Sequence, residues 1–262
     1  EIEDVAKITD TIRPFRMNNL IANGVLIMGA AYQLAMFNRR SDFWTEARQI
    51  PDDVIKAEAR KRGLGMWNTY FALYGTDEII AAIEPIVRGA FEASGGRVLT
   101  EKEMGDNAWF KHHASLMKGG LTLEEIGIVR WRGSGGGMVA FAPVAAAKGD
   151  ETKEQTALAK EILAKYDFDY SPAYAVGGRE LHHLIFLLFD KSDPIEEKKA
   201  DDCLREMITR FGEKGWAAYR TGVSTMDLVA QQYGEANNRL NAKIKQALDP
   251  NHILAPGKQG IM

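Results

Sequence analysis

Between Met138 and Arg220 the sequence runs through a punctuated order that few folds satisfy: strand, helix, strand, strand, helix, strand. Met138 to Val144 is an apolar strand, and Glu151 to Tyr166 sets Leu158, Ala159, Ile162 and Leu163 at helical spacing. Asp169 to Val176 and Glu180 to Phe189 are two strands joined at Gly177-Gly178, a dipeptide that supplies the backbone freedom of a tight hairpin turn. Pro194 opens a helix reaching about Lys214, because a missing N–H costs nothing in a first helical turn. Trp216 to Arg220 reads as a last short strand. The order predicts a ferredoxin-like α+β unit, an antiparallel sheet flanked by helices.

Upstream, Leu20 to Phe37 carries no charge and approaches the length of a membrane span. Asn23 and Gln33 within it would each need a partner in lipid, so a strand and helix buried in a globular body is the reading adopted. No membrane association is expected. Gly65 to Tyr74 is a strand ending at Gly75, followed by a helix capped by Thr76 with Asp77 and Glu78 in its first turn. Its core face is Ile79, Ile80, Ile83, Val87 and Phe91, and Pro85 is expected to bend it. Arg97 to Thr100 reads as a short strand, Trp109 to Met117 and Glu235 to Leu248 as helices. The turn-rich tail DPNHILAPGKQGIM then leads away from the body. Residues 1–248 read as one domain, and residues 249–262 as a separate tail.

Lysine and arginine number 33 against 36 acidic residues, a net charge of −3, so the chain lacks the basic footprint of a nucleic-acid binder. Its one cysteine, Cys203, excludes an internal disulfide framework and falls on the apolar stripe of a helix, where it acts as a small buried hydrophobe. The run Gly133-Ser134-Gly135-Gly136-Gly137 lacks the lysine and following helix of a phosphate loop; a strand follows, and close backbone approach is the better explanation. Four of the five histidines form the pairs His112-His113 and His182-His183. Neighbours on a strand face opposite sides, so His182 and His183 do not share a metal, and one of them is expected to face a pocket. No metal is expected. Tyr219-Arg220 joins a phenol to a permanent cation, a pair suited to an anion, but on these residues alone an ordinary edge-strand pair, its arginine salt-bridged at the surface, is the preferred reading.

The tail run LDPNHILAPGKQGI (residues 248–261) resembles the C-terminal signature of FAD-linked oxidases of the vanillyl-alcohol oxidase and p-cresol methylhydroxylase family. MWNTYFALYG, WRGSGGGMVAFAP, GGRELHHL and GWAAYRTG match further motifs of that family, in its order and across nearly the whole chain. The resemblance implies a cap domain plus a tail returning to an FAD-binding domain supplied from elsewhere. It implies FAD as cofactor and a para-substituted phenol as substrate, bound as phenolate and oxidised at the benzylic carbon through a p-quinone methide. By the same resemblance Tyr219 and Arg220 are the catalytic clamp on the phenolate, and Glu125 and His182 line the substrate pocket. The implied partners are the FAD-binding domain, a second copy of the chain and, from the glycine-rich WRGSGGG, a c-type cytochrome.

Three positions depart from the family. Met138 and Val129 stand where relatives carry the histidine or tyrosine that holds flavin covalently, so FAD is expected to be non-covalent. Ala173 stands where the methylhydroxylase has a glutamate that assists water, leaving open an alcohol or an alkene as product. Two other readings compete: a flavin-dependent 2-hydroxy-acid dehydrogenase half, and a ferredoxin-like binding module without flavin.

Overall fold

The computed structural model describes residues 2–256 and Lys258. The elements run α1 (Ile2–Met17), β1 (Val25–Gly29), α2 (Ala30–Phe37), α3 (Asp52–Lys61), β2 (Trp67–Tyr70), α4 (Asp77–Ala93), α5 (Glu101–Met104), α6 (Ala108–Met117), β3 (Gly137–Phe141), β4 (Val144–Ala146), α7 (Gly149–Lys165), β5 (Ser171–Val176), β6 (Glu180–Phe189), α8 (Pro194–Glu213), α9 (Met226–Gln232) and α10 (Glu235–Leu248). A 3-10 helix, Glu124–Arg130, links α6 to the glycine-rich loop. The sheet is antiparallel in the order β2-β1-β5-β6-β3, with β4 also paired to β6. The mixed helix and antiparallel sheet agree with the expected α+β class.

Strand alternation divides the sheet into two chemically different faces. Val25, Ile27, Tyr174, Val176, Leu181, Ile185 and Leu187 point to one side and are buried with Val5 and Ile12 of α1, Ile162 of α7 and Phe211 of α8. Cys203 of α8 belongs to this layer, and burial pushes its thiol up to about 12. On the other side Met28, Ala173 and Leu188 pack under α2, with Leu26, Tyr70, Leu184 and Phe186 only partly covered. The uncharged segment thus resolves into β1 and α2, and its amides are paired. Gln33 Oε1 accepts from Tyr70 Oη at 3.0 Å, and Asn23 Oδ1 accepts from the Ala72 N–H at 3.2 Å.

Several expectations need correction. Trp216 to Arg220 is not a strand: pairing stops at one bridge, Pro143 to Ala218. Proline has no N–H to give a ladder, and the same residue splits the expected 138–144 strand into β3 and β4. Arg97 to Thr100 forms no strand, since the Val98 carbonyl accepts from Arg88 and Thr100 caps α5. The strand expected from Asp169 begins at Ser171, because Asp169 is committed to side-chain bonds. On α4 only Val87 and Phe91 are buried, Ile80 and Ile83 are half-buried, and Ile79 is 49% exposed.

The tail starts folded rather than loose. Buried Asp249 accepts from the N–H groups of Ile253 and Leu254 at 3.0 and 2.9 Å and pairs with Lys245, which also donates to the Leu254 carbonyl at 2.5 Å. Ile253 and Leu254 themselves point to solvent. Gly257 and residues 259–262, the end of the signature run, lie outside the described residues.

Candidate functional site

The half-open face of the sheet carries the candidate site. Register aligns Tyr70, Leu26, Ala175, His182 and Val144 in one row across five strands. His182 is half-buried, while its neighbour His183 points into the opposite layer, fully buried, and bonds Tyr170 Oη at 2.9 Å. The histidine pair therefore splits as alternation demands. Burial lowers His183 to about 3, so it stays neutral and structural.

Tyr219 stands edge-on to His182, with ring centroids 4.6 Å apart at 65°. It lies one residue beyond the Pro143–Ala218 bridge, held only by a long 3.4 Å bond from its N–H to the Ala142 carbonyl. Because the extended backbone ends there, Arg220 is free of strand alternation, and its guanidinium lies over the Tyr219 ring at 5.1 Å. Both residues are exposed. Three of the four expected site residues, His182, Tyr219 and Arg220, are thus assembled as a phenol, an imidazole and a cation beside an open surface.

Glu125 does not touch that trio. It sits in the 3-10 helix next to Tyr32 and His112, its Oε1 3.4 Å from His112 Nε2. Burial, reinforced by the Glu125 charge, pushes the Tyr32 phenol far above its usual range. Tyr32 packs on Phe186 at 4.9 Å between ring centroids. Phe186 lies four residues along β6 from His182 on the same face, about 13 Å at the usual strand rise. Leu184 and Ala173 form the floor between these two ends. A cavity of about 300 Å³ opens beside the row through His182, lined by Asn23, Leu26, Tyr74, His113 and Met117.

His112 and Glu124 were not among the residues singled out for the site, although both belong to this end of it. The available signal was the adjacent acid pair Glu124-Glu125 following a histidine pair across the Gly119-Gly120 turn. His112, His113 and Glu125 offer ligand atoms within 4.8 Å of one another. A tetrahedral zinc shell with bonds of about 2.1 Å needs roughly 3.4 Å between ligands, so this spacing is too wide for one as it stands. His113 is also engaged, its Nε2 3.2 Å from Gln33 Nε2 and its ring tilted against Tyr70 at 3.9 Å between centroids.

The glycine-rich loop has a structural task. A Cβ on Gly133 or Gly135 would fall 1.8 or 2.2 Å from the Asp190 carboxylate, so the run wraps Asp190 and does not face a phosphate. Trp131, which begins it, donates Nε1–H to Asp169 Oδ2 at 2.9 Å. Met138 is 42% exposed on edge strand β3, and Val129 is half-buried in the 3-10 helix.

The family described as FAD linked oxidases, C-terminal domain, matches residues 66–259. The chain is 43% identical over 260 residues to the 4-cresol dehydrogenase [hydroxylating] flavoprotein subunit of Pseudomonas putida, covering 98% of this chain and 50% of that protein. Among solved structures it superposes on p-cresol methylhydroxylase with substrate bound at a TM-score of 0.94 and 43% identity, covering 99% of this chain and 50% of the other. It also superposes on 4-ethylphenol oxidase from Gulosibacter chungangensis in its isoeugenol complex, at 0.93 and 28% identity, covering 99% and 51%. The chain spans about half the length of these relatives.

Proposed function

The chain belongs to the C-terminal domain family of FAD-linked oxidases, and on that premise we propose that it forms the substrate-side half of a flavin-dependent oxidoreductase acting on 4-alkylphenols. The observation that carries this reading is the assembly of His182, Tyr219 and Arg220 on the open sheet face. Relatives of known name along the whole chain, a 4-cresol dehydrogenase and a 4-ethylphenol oxidase, support it. In this reading the Arg220 guanidinium and the Tyr219 hydroxyl hold the phenolate oxygen, stabilising the anion from which the benzylic C–H becomes a hydride donor. His182 packs against the tyrosine ring and fixes its direction. Leu184 and Ala173 supply the apolar floor, and Glu125 provides a carboxylate toward the far end.

FAD, when bound, accepts the hydride. Among the described residues the glycine-rich run does not fit the pyrophosphate, since it encloses Asp190; an FAD-binding half supplies that part. Neither Met138 nor Val129 has a side chain able to bond the flavin, so the cofactor is held without a covalent link to those positions. A c-type cytochrome as electron acceptor and a second copy of the chain complete the proposed partners. The test is anaerobic mixing of the full-length flavoprotein with 4-ethylphenol. Bleaching of the oxidised flavin band supports the reading, and an unchanged spectrum with 4-alkylphenols overturns it.

A further inference from the structure

His112 is enclosed on α6, its side chain without solvent contact, and each ring nitrogen faces a different carboxylate. Nδ1 lies 2.8 Å from Glu124 Oε2, a short charge-assisted bond to a side chain 51% exposed. Nε2 lies 3.4 Å from Glu125 Oε1 and has no aligned hydrogen-bond partner. The Nδ1 contact fixes the tautomer: Nδ1 carries the proton that Glu124 accepts, and Nε2 presents its lone pair toward Glu125. Two acceptors at that distance repel unless a proton lies between them. The arrangement is therefore one proton short on the Glu125 side, where the carboxylate is 37% exposed, and open to water through the 51% exposed Glu124 on the other.

We propose that His112 is a positioning and relay residue, carrying a proton from Glu125 at the substrate end of the site to Glu124 at the surface. The inference rests on the functional reading above. Its chemical need arises at the quinone methide stage. When water adds, its oxygen bonds the benzylic carbon, the exocyclic double bond opens, and that electron pair returns to the ring as phenolate. The proton lost from the water must go to a base. Ala173 offers none, whereas Glu125 takes it, passes it to His112 Nε2, and Nδ1 releases its own proton to Glu124 and solvent. Charge and proton count balance for this transfer, which leaves the ring in its Nε2–H tautomer; reorientation of the ring, not return of a proton to Glu125, restores the starting one.

The experiment uses the full-length flavoprotein with 4-ethylphenol and two variants, His112→Ala and Glu124→Gln. Flavin bleaching reports hydride transfer, and chromatography of the products reports the ratio of alcohol to 4-vinylphenol. Expected is at least a tenfold fall in alcohol relative to bleaching for His112→Ala, with partial recovery on adding imidazole, and a smaller fall for Glu124→Gln. Glu124 lies at the surface, so that variant keeps the test valid if the buried substitution fails to fold. A second readout needs no turnover: ring ¹⁵N shifts in the histidine-labelled protein should give His112 as the Nδ1–H tautomer, and Glu125→Gln should shift Nε2. An unchanged product ratio in both variants, or a tautomerically averaged His112, overturns the relay. Failure of the wild-type flavin to bleach would instead overturn the functional reading itself.

Discussion

Tyr219 meets His182 of β6 edge-on at 4.6 Å, although the segment that carries Tyr219 is bridged not to β6 but to Pro143, through Ala218, and that pairing ends there. That ending is what allows Arg220 to turn back over the Tyr219 ring instead of pointing to the opposite face. The geometry is that of a clamp whose two members share one side.

On the proposed function, Arg220→Ala in the full-length flavoprotein would remove a charge-assisted hydrogen bond to the phenolate, about 1.5–3 kcal/mol. Since about 1.4 kcal/mol is one decade in rate, turnover of 4-alkylphenols should fall more than tenfold. Tyr219→Phe keeps the ring on His182 and loses only the hydroxyl, so its effect should be smaller. Arg205→Ala, which breaks an exposed pair with Asp201 on α8, serves as the control and should leave turnover near wild type. Full activity in both clamp variants would make the pair merely structural.

Acid precipitation of the flavoprotein should leave the flavin in the supernatant. Met138 is a thioether on edge strand β3 and Val129 an aliphatic side chain, and neither forms a stable bond to the ring. Yellow colour retained in the washed pellet would contradict the non-covalent assignment.

What the sequence made legible follows from period and punctuation. The hairpin at Gly177-Gly178, the long helix from Pro194 and the buried face containing Leu158 and Ile162 depend on local spacing, and each stands where expected. What escaped depends on contacts between distant segments. Trp216 to Arg220 has the composition of a strand, but its partner is Pro143, and only the fold brings them together. Ile79 on α4 has a core residue's spacing and an exposed position, because periodicity identifies an apolar face without saying which chain covers it. Of the site, the His182–Tyr219 end was accessible through neighbouring motifs. Glu125 came from the resemblance alone, and its link to His112 and Glu124 did not show, since residues of two separate elements acquire meaning together only from contacts such as the 2.8 Å one between His112 and Glu124.

Asp169 is a second case of a residue invisible to periodicity, and it carries a stability prediction. Its buried carboxylate accepts from Arg40 Nε at 2.8 Å, Trp131 Nε1 at 2.9 Å and the Ile50 N–H at 2.9 Å. Asp169→Ala strands the Arg40 guanidinium in the interior, and removing one member of a buried pair costs about 3–5 kcal/mol. The unfolding midpoint in urea should drop accordingly. Arg48→Ala, which breaks an exposed pair with Glu46, should change it by about 1 kcal/mol or less. Equal midpoints for the two variants would remove Asp169 from its place as the tie between the 40–50 segment and the sheet.

The buried histidines set a direction for stability against pH. Burial lowers both His113 and His183 to about 3, with the neighbouring His112 adding to the effect on His113. In the unfolded chain each takes up a proton near the ordinary value of about 6.5. Between these limits the unfolded state binds more protons than the native state, so stability declines as pH falls from about 6.5 toward about 3. The slope within that window is about 1.4 kcal/mol per pH unit for each histidine. Above about pH 4.5 most carboxylates remain charged, so urea midpoints measured between about pH 7 and about pH 5 isolate the histidine contribution. His183→Gln should flatten the dependence, whatever it does to stability at neutral pH, because it removes one of the imidazoles that burial holds neutral. A wild-type midpoint independent of pH across that range would mean that neither imidazole is held neutral by the core.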